Sequence, residues 1–164
     1  SDFKKTGTLL ILVGKQDTKN LGGSIYYQIT NSIGEVPTVD VDNLKVVLES
    51  ITKGIKSNNI LSCHDISEGG LAIAICEMAF GGNIGVKINL PKNIRNDLYL
   101  FSETPGTFIV EVENKNIAKK LFKKIPYQIL GKTIEQKSII INQESIKLDE
   151  LKKAWQKPMK EIFG

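Results

Sequence analysis

Residues Ser62–Gly70 read SCHDISEGG. These nine positions hold the only histidine of the chain, His64, together with Asp65, Ser67, Glu68 and the paired glycines Gly69 and Gly70. The segment before it, NILSCHD, is short and apolar enough for a strand. The segment after it, Glu68–Phe80, is long and unbroken enough for a helix. A strand, a polar glycine-containing turn and a helix in direct succession form the local unit of an α/β fold.

Working outward, the same mixture recurs. TLLILV (Thr8–Val13) reads as a buried strand that ends in the polar loop GKQDTKNLGGS, and Ser24–Thr30 reads as a short helix. Over Asp42–Ser57 the residues Leu44, Val47, Leu48, Ile51 and Ile55 share one helical face, with Asp42 suited to the helix start. IGVKINL alternates Ile84, Val86, Ile88 and Leu90, and TFIVEV alternates Phe108, Val110 and Val112 after the Pro105-Gly106 turn. A helix over Asn114–Lys124 follows, then strands near Tyr127–Leu130 and Ser138–Ile141. The last element is a helix carrying Leu148, Leu151, Trp155, Met159 and Ile162 at helical spacing. No repeat or linker interrupts this order. The expectation is one α/β domain over residues 1–164, with a mixed β-sheet flanked by helices.

Composition narrows the function classes. The chain has 164 residues, of which 41% are hydrophobic, enough for one core and a squeeze for two domains. Cys63 and Cys76 are the only cysteines and lack metal-ligand spacing, so reduced thiols in a cytoplasmic protein are expected. No apolar run approaches the length of a membrane span. SDFKK leads straight into a strand, so the start is read as a cut rather than a leader sequence. The formal charge of +4 raises the question of nucleic acid. Arg95 is the only arginine, however, and Lys115, Lys119, Lys120, Lys123 and Lys124 surround an apolar stripe of Ile117, Ala118, Leu121 and Phe122. That pattern is a solvated helix surface, and no nucleic-acid partner is expected.

The opening stretch admits two readings. In one, Ser67 caps the following helix, Asp65 accepts loop hydrogen bonds, and Gly69 and Gly70 let the helix pack closely on the sheet. In the other, the exposed N–H groups and the helix dipole hold an anion, typically a phosphate. His64 stands alone, with no second histidine to build a metal site. The helix itself is apolar nearly all round, with Glu77 its only charge after Glu68, so an apolar patch for a partner domain or subunit is expected along Leu71–Phe80.

HDISEGGLAIAICEMAFGG resembles the C-terminal-type domain of the aminoimidazole ribonucleotide synthetase superfamily, and within it the synthetase subunit of phosphoribosylformylglycinamidine synthases. LGGSIYYQ, LFSETPGTFIVEV and LKKAWQKPMKEIFG are similar to further segments of that family, in the same order, so the resemblance covers nearly the whole chain. It implies the last domain of a longer subunit. The reaction it implies is ATP-dependent conversion of formylglycinamide ribonucleotide to the amidine, with glutamine-derived ammonia.

The implied cofactors of the full enzyme are ATP and Mg2+. The implied partners are N-terminal-type domains of the same subunit, a glutaminase subunit and a small accessory subunit. Magnesium ligands, the catalytic histidine and most ATP contacts belong in the family to N-terminal-type domains, which this sequence does not contain. No catalytic or metal-ligating residue is therefore assigned here, and the isolated chain is expected to be inactive. The candidate phosphate- or nucleotide-binding residues are Asp65, Ser67, Glu68, Gly69, Gly70 and Glu103. One departure stands out: a Glu-Ser-Gln segment placed against substrate in the family's first-half copy reads Glu103-Thr104-Pro105 here, as in a pseudo-site. The alternatives are a paralogous ATP-dependent synthetase or kinase of the superfamily, and a free-standing module that binds phosphate ligands or a protein.

Overall fold

The computed structural model describes residues 1–164. Seven strands form one sheet in the order β2-β4-β1-β5-β3-β6-β7. They are β1 (Leu9–Val13), β2 (Ser62–Asp65), β3 (Gly85–Ile88), β4 (Phe108–Val112), β5 (Tyr127–Ile134), β6 (Ser138–Ile141) and β7 (Glu144–Lys147). Only β3 and β6 pair in parallel, so the sheet is mixed. The helices are α1 (Ile25–Ile29), α2 (Val41–Lys56), α3 (Gly70–Gly82), α4 (Asn96–Phe101), α5 (Lys115–Leu121) and α6 (Leu148–Phe163).

Two apolar cores lie on opposite faces of this sheet. On one, Val47 and Ile51 of α2 and Ala118 of α5 pack against Ile11, Val13, Val110 and Val112. On the other, Leu71, Ala74, Ile75 and Met78 of α3 pack against Leu10, Leu12, Val86, Ile88 and Ile109, with Tyr99 of α4 and Leu148 of α6 beside them. The central strands β1 and β4 are thus buried on both faces, which is why TLLILV runs apolar without alternating.

Local chemistry explains most helix ends. The α2 helix begins one residue earlier than its periodicity indicated, because Asp40 rather than Asp42 accepts the Asn43 N–H at 3.0 Å. Asn114 caps α5 through the Asn116 and Ile117 N–H groups. Such caps contribute about 1 kcal/mol each. Asn83 ends α3 in the left-handed conformation with φ 49°. The strand β7 went unrecognised in the sequence. All four of its residues are exposed, so ESIK carries no burial pattern.

The apolar patch expected along Leu71–Phe80 is not there. Leu71, Ala74, Ile75, Met78, Ala79 and Phe80 are buried and the remaining α3 apolar residues are half-buried. The cover comes from α4, α6 and the N-terminal segment, whose Phe3 donates its N–H to Met78 C=O and sinks into the core at 2% exposure. Unpartnered apolar surface lies instead on α2, with Val41, Leu48 and Ile55 exposed, and on α6, with Trp155, Met159 and Ile162 exposed.

A buried carboxylate ties the lower end of the sheet together. Glu111 on β4 is fully buried and accepts from Lys4 N–H (2.9 Å), Lys5 N–H (3.2 Å), the Thr8 hydroxyl (2.7 Å) and the Ser62 hydroxyl (2.7 Å). Burial of a carboxylate is tolerated when its lone pairs are met in this way. This network fixes the start of β2, the strand that leads into the candidate site.

Candidate functional site

The β2–α3 connection is built differently from a side-chain cap. Helix α3 starts at Gly70, not Glu68, and its N-cap is Gly69 with no side-chain cap hydrogen bond. Ser67 is exposed, and its part in the turn is its C=O, which accepts the Gly70 N–H at 3.0 Å. Ser67 as the helix cap is therefore a correction. The reason is backbone: Gly69 and Gly70 take φ 79° and 68°, left-handed values that only glycine adopts without cost. At Gly70 a Cβ would lie 2.7 Å from Phe101 C and 2.8 Å from the carbonyl oxygens of Leu100 and Ser102. Helix α4 thus packs directly on the α3 start.

That approach brings Glu103 to the turn. One carboxylate oxygen, Oε1, accepts the Gly69 N–H at 2.8 Å and the Ile25 N–H of α1 at 2.9 Å. Ile25 follows Ser24, whose hydroxyl caps α1 by accepting the Tyr27 N–H. Three segments far apart in the sequence, LGGS, HDISEGG and SETPG, meet on a single oxygen atom. The negative charge expected at this helix start is supplied by the chain itself.

The segment holding Glu103 is locked on both sides. The Ser102 hydroxyl donates to Asp17 C=O, the Asp17 N–H donates to Thr104 Oγ1 at 2.9 Å, and the Thr107 hydroxyl donates to Thr104 C=O at 2.7 Å. Thr104 is buried and occupied in this network, so the Glu-Thr-Pro departure has a structural role. A second clasp joins α1 to α4: the Tyr26 hydroxyl donates to Asp97 at 2.5 Å, and Arg95 pairs with the same carboxylate. Those bonds from Arg95 and then Tyr26 hold the Asp97 carboxyl down at about 2.

Of the other candidates, Asp65 and Glu68 are exposed at the rim, beside a groove of about 910 Å3 that Ser67 and Glu103 also line. His64 faces structural neighbours: Nδ1 lies 2.7 Å from Asp65 C=O, and Nε2 lies 3.2 Å from Glu77 on α3. Burial, then the nearby Asp65, pushes the Cys63 thiol up to about 11; burial, then Glu77, pushes Cys76 up to about 12. Neither thiol is a nucleophile at neutral pH. No group of three or more His, Cys, Asp and Glu is arranged to hold a metal ion. No helix is long and apolar enough to cross a membrane. The motif LGGSIYYQ contains Ile25 but does not single it out, because a backbone N–H carries no residue-type signal.

Comparison with known proteins gives a consistent result. The chain is 33% identical to the phosphoribosylformylglycinamidine synthase subunit PurL of Deinococcus radiodurans over 179 aligned residues, covering 99% of this chain and 24% of that protein. It is also 33% identical to the PurL subunit of Methanocaldococcus jannaschii, covering 98% of this chain and 23% of that protein. The chain thus spans about a quarter of the length of these relatives. Among solved structures, Thermotoga maritima PurL complexed with FGAR shares the fold at TM-score 0.76 and 14% identity, over 92% of this chain and 29% of that one. Escherichia coli HypE, a hydrogenase maturation protein, shares it at TM-score 0.61 and 16% identity, over 89% of this chain and 50% of that one. Residues 5–142 match the family described as AIR synthase related protein, C-terminal domain, and the chain belongs to that family.

Proposed function

We propose that residues 1–164 are the last domain of a longer synthetase subunit that converts formylglycinamide ribonucleotide, ATP and ammonia to formylglycinamidine ribonucleotide. The observation that carries this reading is the meeting of Gly69, Ile25 and Glu103, which joins three of the family-like segments into one constellation. The 33% identity to two PurL subunits across nearly the whole chain supports the same assignment. T. maritima PurL structures with ATP and with FGAR support ATP and the ribonucleotide as its ligands.

In this reading the domain positions substrate and does not perform phosphoryl transfer. Asp65, Ser67, Glu68, Gly69, Gly70 and Glu103 form the rim that faces the ribonucleotide, with Glu103 holding the LGGS and HDISEGG segments in mutual register. ATP supplies the phosphoryl group that activates the formamide oxygen for displacement by ammonia. No group of three or more His, Cys, Asp and Glu side chains comes together on this chain as an all-protein metal cage, so in this reading no step runs through a metal held by this domain alone. Phosphoryl transfer relies on metal and cationic groups around the phosphates, and this reading assigns that step to N-terminal-type domains.

The exposed face of α2 beside the rim is where such a domain packs. The PurLQS assembly of T. maritima supports further partners, here a glutaminase subunit and a small accessory subunit, in a cytoplasmic enzyme. Reading the coding sequence upstream of Ser1 tests the proposal: an open frame encoding the larger part of a synthetase is expected, and an in-frame stop codon just ahead of Ser1 would contradict it.

A further inference from the structure

The start of α3 is closed to an external anion, because Glu103 Oε1 already accepts the Gly69 N–H there, as well as the Ile25 N–H. The groove in front of it is acidic: Asp65, Glu68 and Glu103 line it, and no lysine or arginine does. Ser1 lines it too, but in the proposed longer subunit its nitrogen is an uncharged peptide amide. These carboxylates repel a phosphate dianion. The ribonucleotide of the proposed reaction carries one, so its phosphate needs another seat.

A second pocket supplies one. Its volume is about 750 Å3, and it shares Leu44, Pro105 and Gly106 with the groove, so the two are neighbours across the Pro105-Gly106 turn. Lys15 and Lys19, from the loop between β1 and α1, line it and are exposed. Neither forms an ion pair within the chain. The two carboxylates of the pocket are engaged elsewhere. Asp17 accepts the Lys19 and Asn20 N–H groups at 2.9 and 3.2 Å and the Asn20 side-chain amide at 2.9 Å. Asp40 accepts the Asn43 N–H at the start of α2. Thr18, Thr38 and Asn43 add neutral donors. Val41, Leu48 and Ile55, the α2 residues left for a packing domain, do not line this pocket.

We infer that Lys15 and Lys19 seat the phosphate of a sugar phosphate whose ribose lies across the Pro105-Gly106 turn and donates its hydroxyls to Asp65 and Glu68. Lysine acts on phosphate as a point charge, whereas carboxylates accept from hydroxyls. The two pockets thus sort the two ends of one ligand by charge. The sheet register sets the span. Asp65 and Val13 both pair with Phe108, so they sit two strand spacings apart, about 10 Å. Lys15 follows two residues after Val13, and its long side chain and a ribose phosphate bridge that gap together. This inference rests on the ribonucleotide reading and deepens it by fixing the direction in which the ligand lies.

The test titrates residues 1–164 with methyl β-riboside 5-phosphate, which has no free aldehyde to react with lysine, and follows the amides by NMR. Expected are saturable shifts at Lys15, Thr18 and Lys19 together with shifts at Asp65 and Glu68. Lys15→Gln combined with Lys19→Gln, at two exposed positions, weakens binding at least about tenfold through lost charged contacts to phosphate. The unphosphorylated riboside leaves the lysine amides unshifted. No saturable shift at about 10 mM ligand overturns the inference. Equal binding by the double variant also overturns it, as does inorganic phosphate that binds as tightly as the riboside phosphate, since the rim then contributes nothing. In the longer subunit the double variant raises KM for formylglycinamide ribonucleotide at least about tenfold with little change in kcat. An unchanged KM in a subunit that turns over overturns the seat and spares the reading. Riboside phosphate bound at the lysines of a subunit that does not turn over contradicts the reading and spares the seat.

Discussion

Glu103 Oε1 lies 2.8 Å from the Gly69 nitrogen, at the N-terminus of α3. The same atom accepts the Ile25 N–H at 2.9 Å, so a single carboxylate occupies the position an external anion would seek. Glu103→Ala leaves two backbone donors without their acceptor and costs about 1–3 kcal/mol. It also opens the position, so inorganic phosphate raises the melting temperature of the variant more than that of the wild-type chain. Equal phosphate responses would show that Glu103 does not compete for the site.

Ser67→Ala is expected to be nearly silent, within about 0.5 kcal/mol by denaturant unfolding. Ser67 is exposed and caps nothing, because α3 starts at Gly70. A loss of about 1 kcal/mol, typical of a lost cap, would restore the role that its sequence position suggested.

Gly70→Val should be severe. The left-handed φ of 68° and backbone atoms of α4 within 2.8 Å of a Cβ leave no room for a side chain. Strain and overpacking together cost on the order of 3 kcal/mol. An unchanged unfolding midpoint would mean that α4 does not pack on this turn.

The contrast between Ser67 and Gly70 shows where the sequence was readable. Helix α2 announced itself through Val47 and Ile51, because helical burial leaves a period in residue type. The α3 start did not, since S-E-G-G fits either a serine cap or a pair of left-handed glycines. Glu111 was invisible for another reason. It occupies the outward position in the alternation of TFIVEV, and its partners Lys4, Lys5, Thr8 and Ser62 are distant in sequence. Likewise the cover over α3 comes from Phe3, Tyr99 and Leu148, which nothing local to LAIAICEMAF foretells. Of the candidate site, the three segments were legible as motifs, but their convergence on one oxygen of Glu103 was not.

Glu111→Leu removes an acceptor shared by four donors in a fully buried position. Unsatisfied buried donors make the loss about 3 kcal/mol or more. Amide exchange of Lys4 and Lys5 should rise to the rate of an unprotected segment. Unchanged protection there would show that the N-terminal segment is held by Phe3 alone.

Acid titration isolates the Asp97 clasp. Its folded pKa, held at about 2 by Arg95 and then Tyr26, lies below the ordinary carboxylate value of 3.8. The clasp therefore contributes its full stabilisation above about pH 4 and loses it as pH falls through about 2. The stability difference between wild type and Asp97→Asn should be constant at neutral pH and shrink across that window. A difference that persists unchanged at about pH 2 would exclude ionisation of Asp97 as its source.

The most direct measurement is phosphate release from ATP in the presence of formylglycinamide ribonucleotide and ammonia. It compares residues 1–164 alone with the longer subunit of which they are proposed to be the last domain. The account predicts turnover by the longer subunit, its loss on Gly70→Val, and none by residues 1–164. Ribonucleotide-dependent phosphate release by residues 1–164 alone would contradict it.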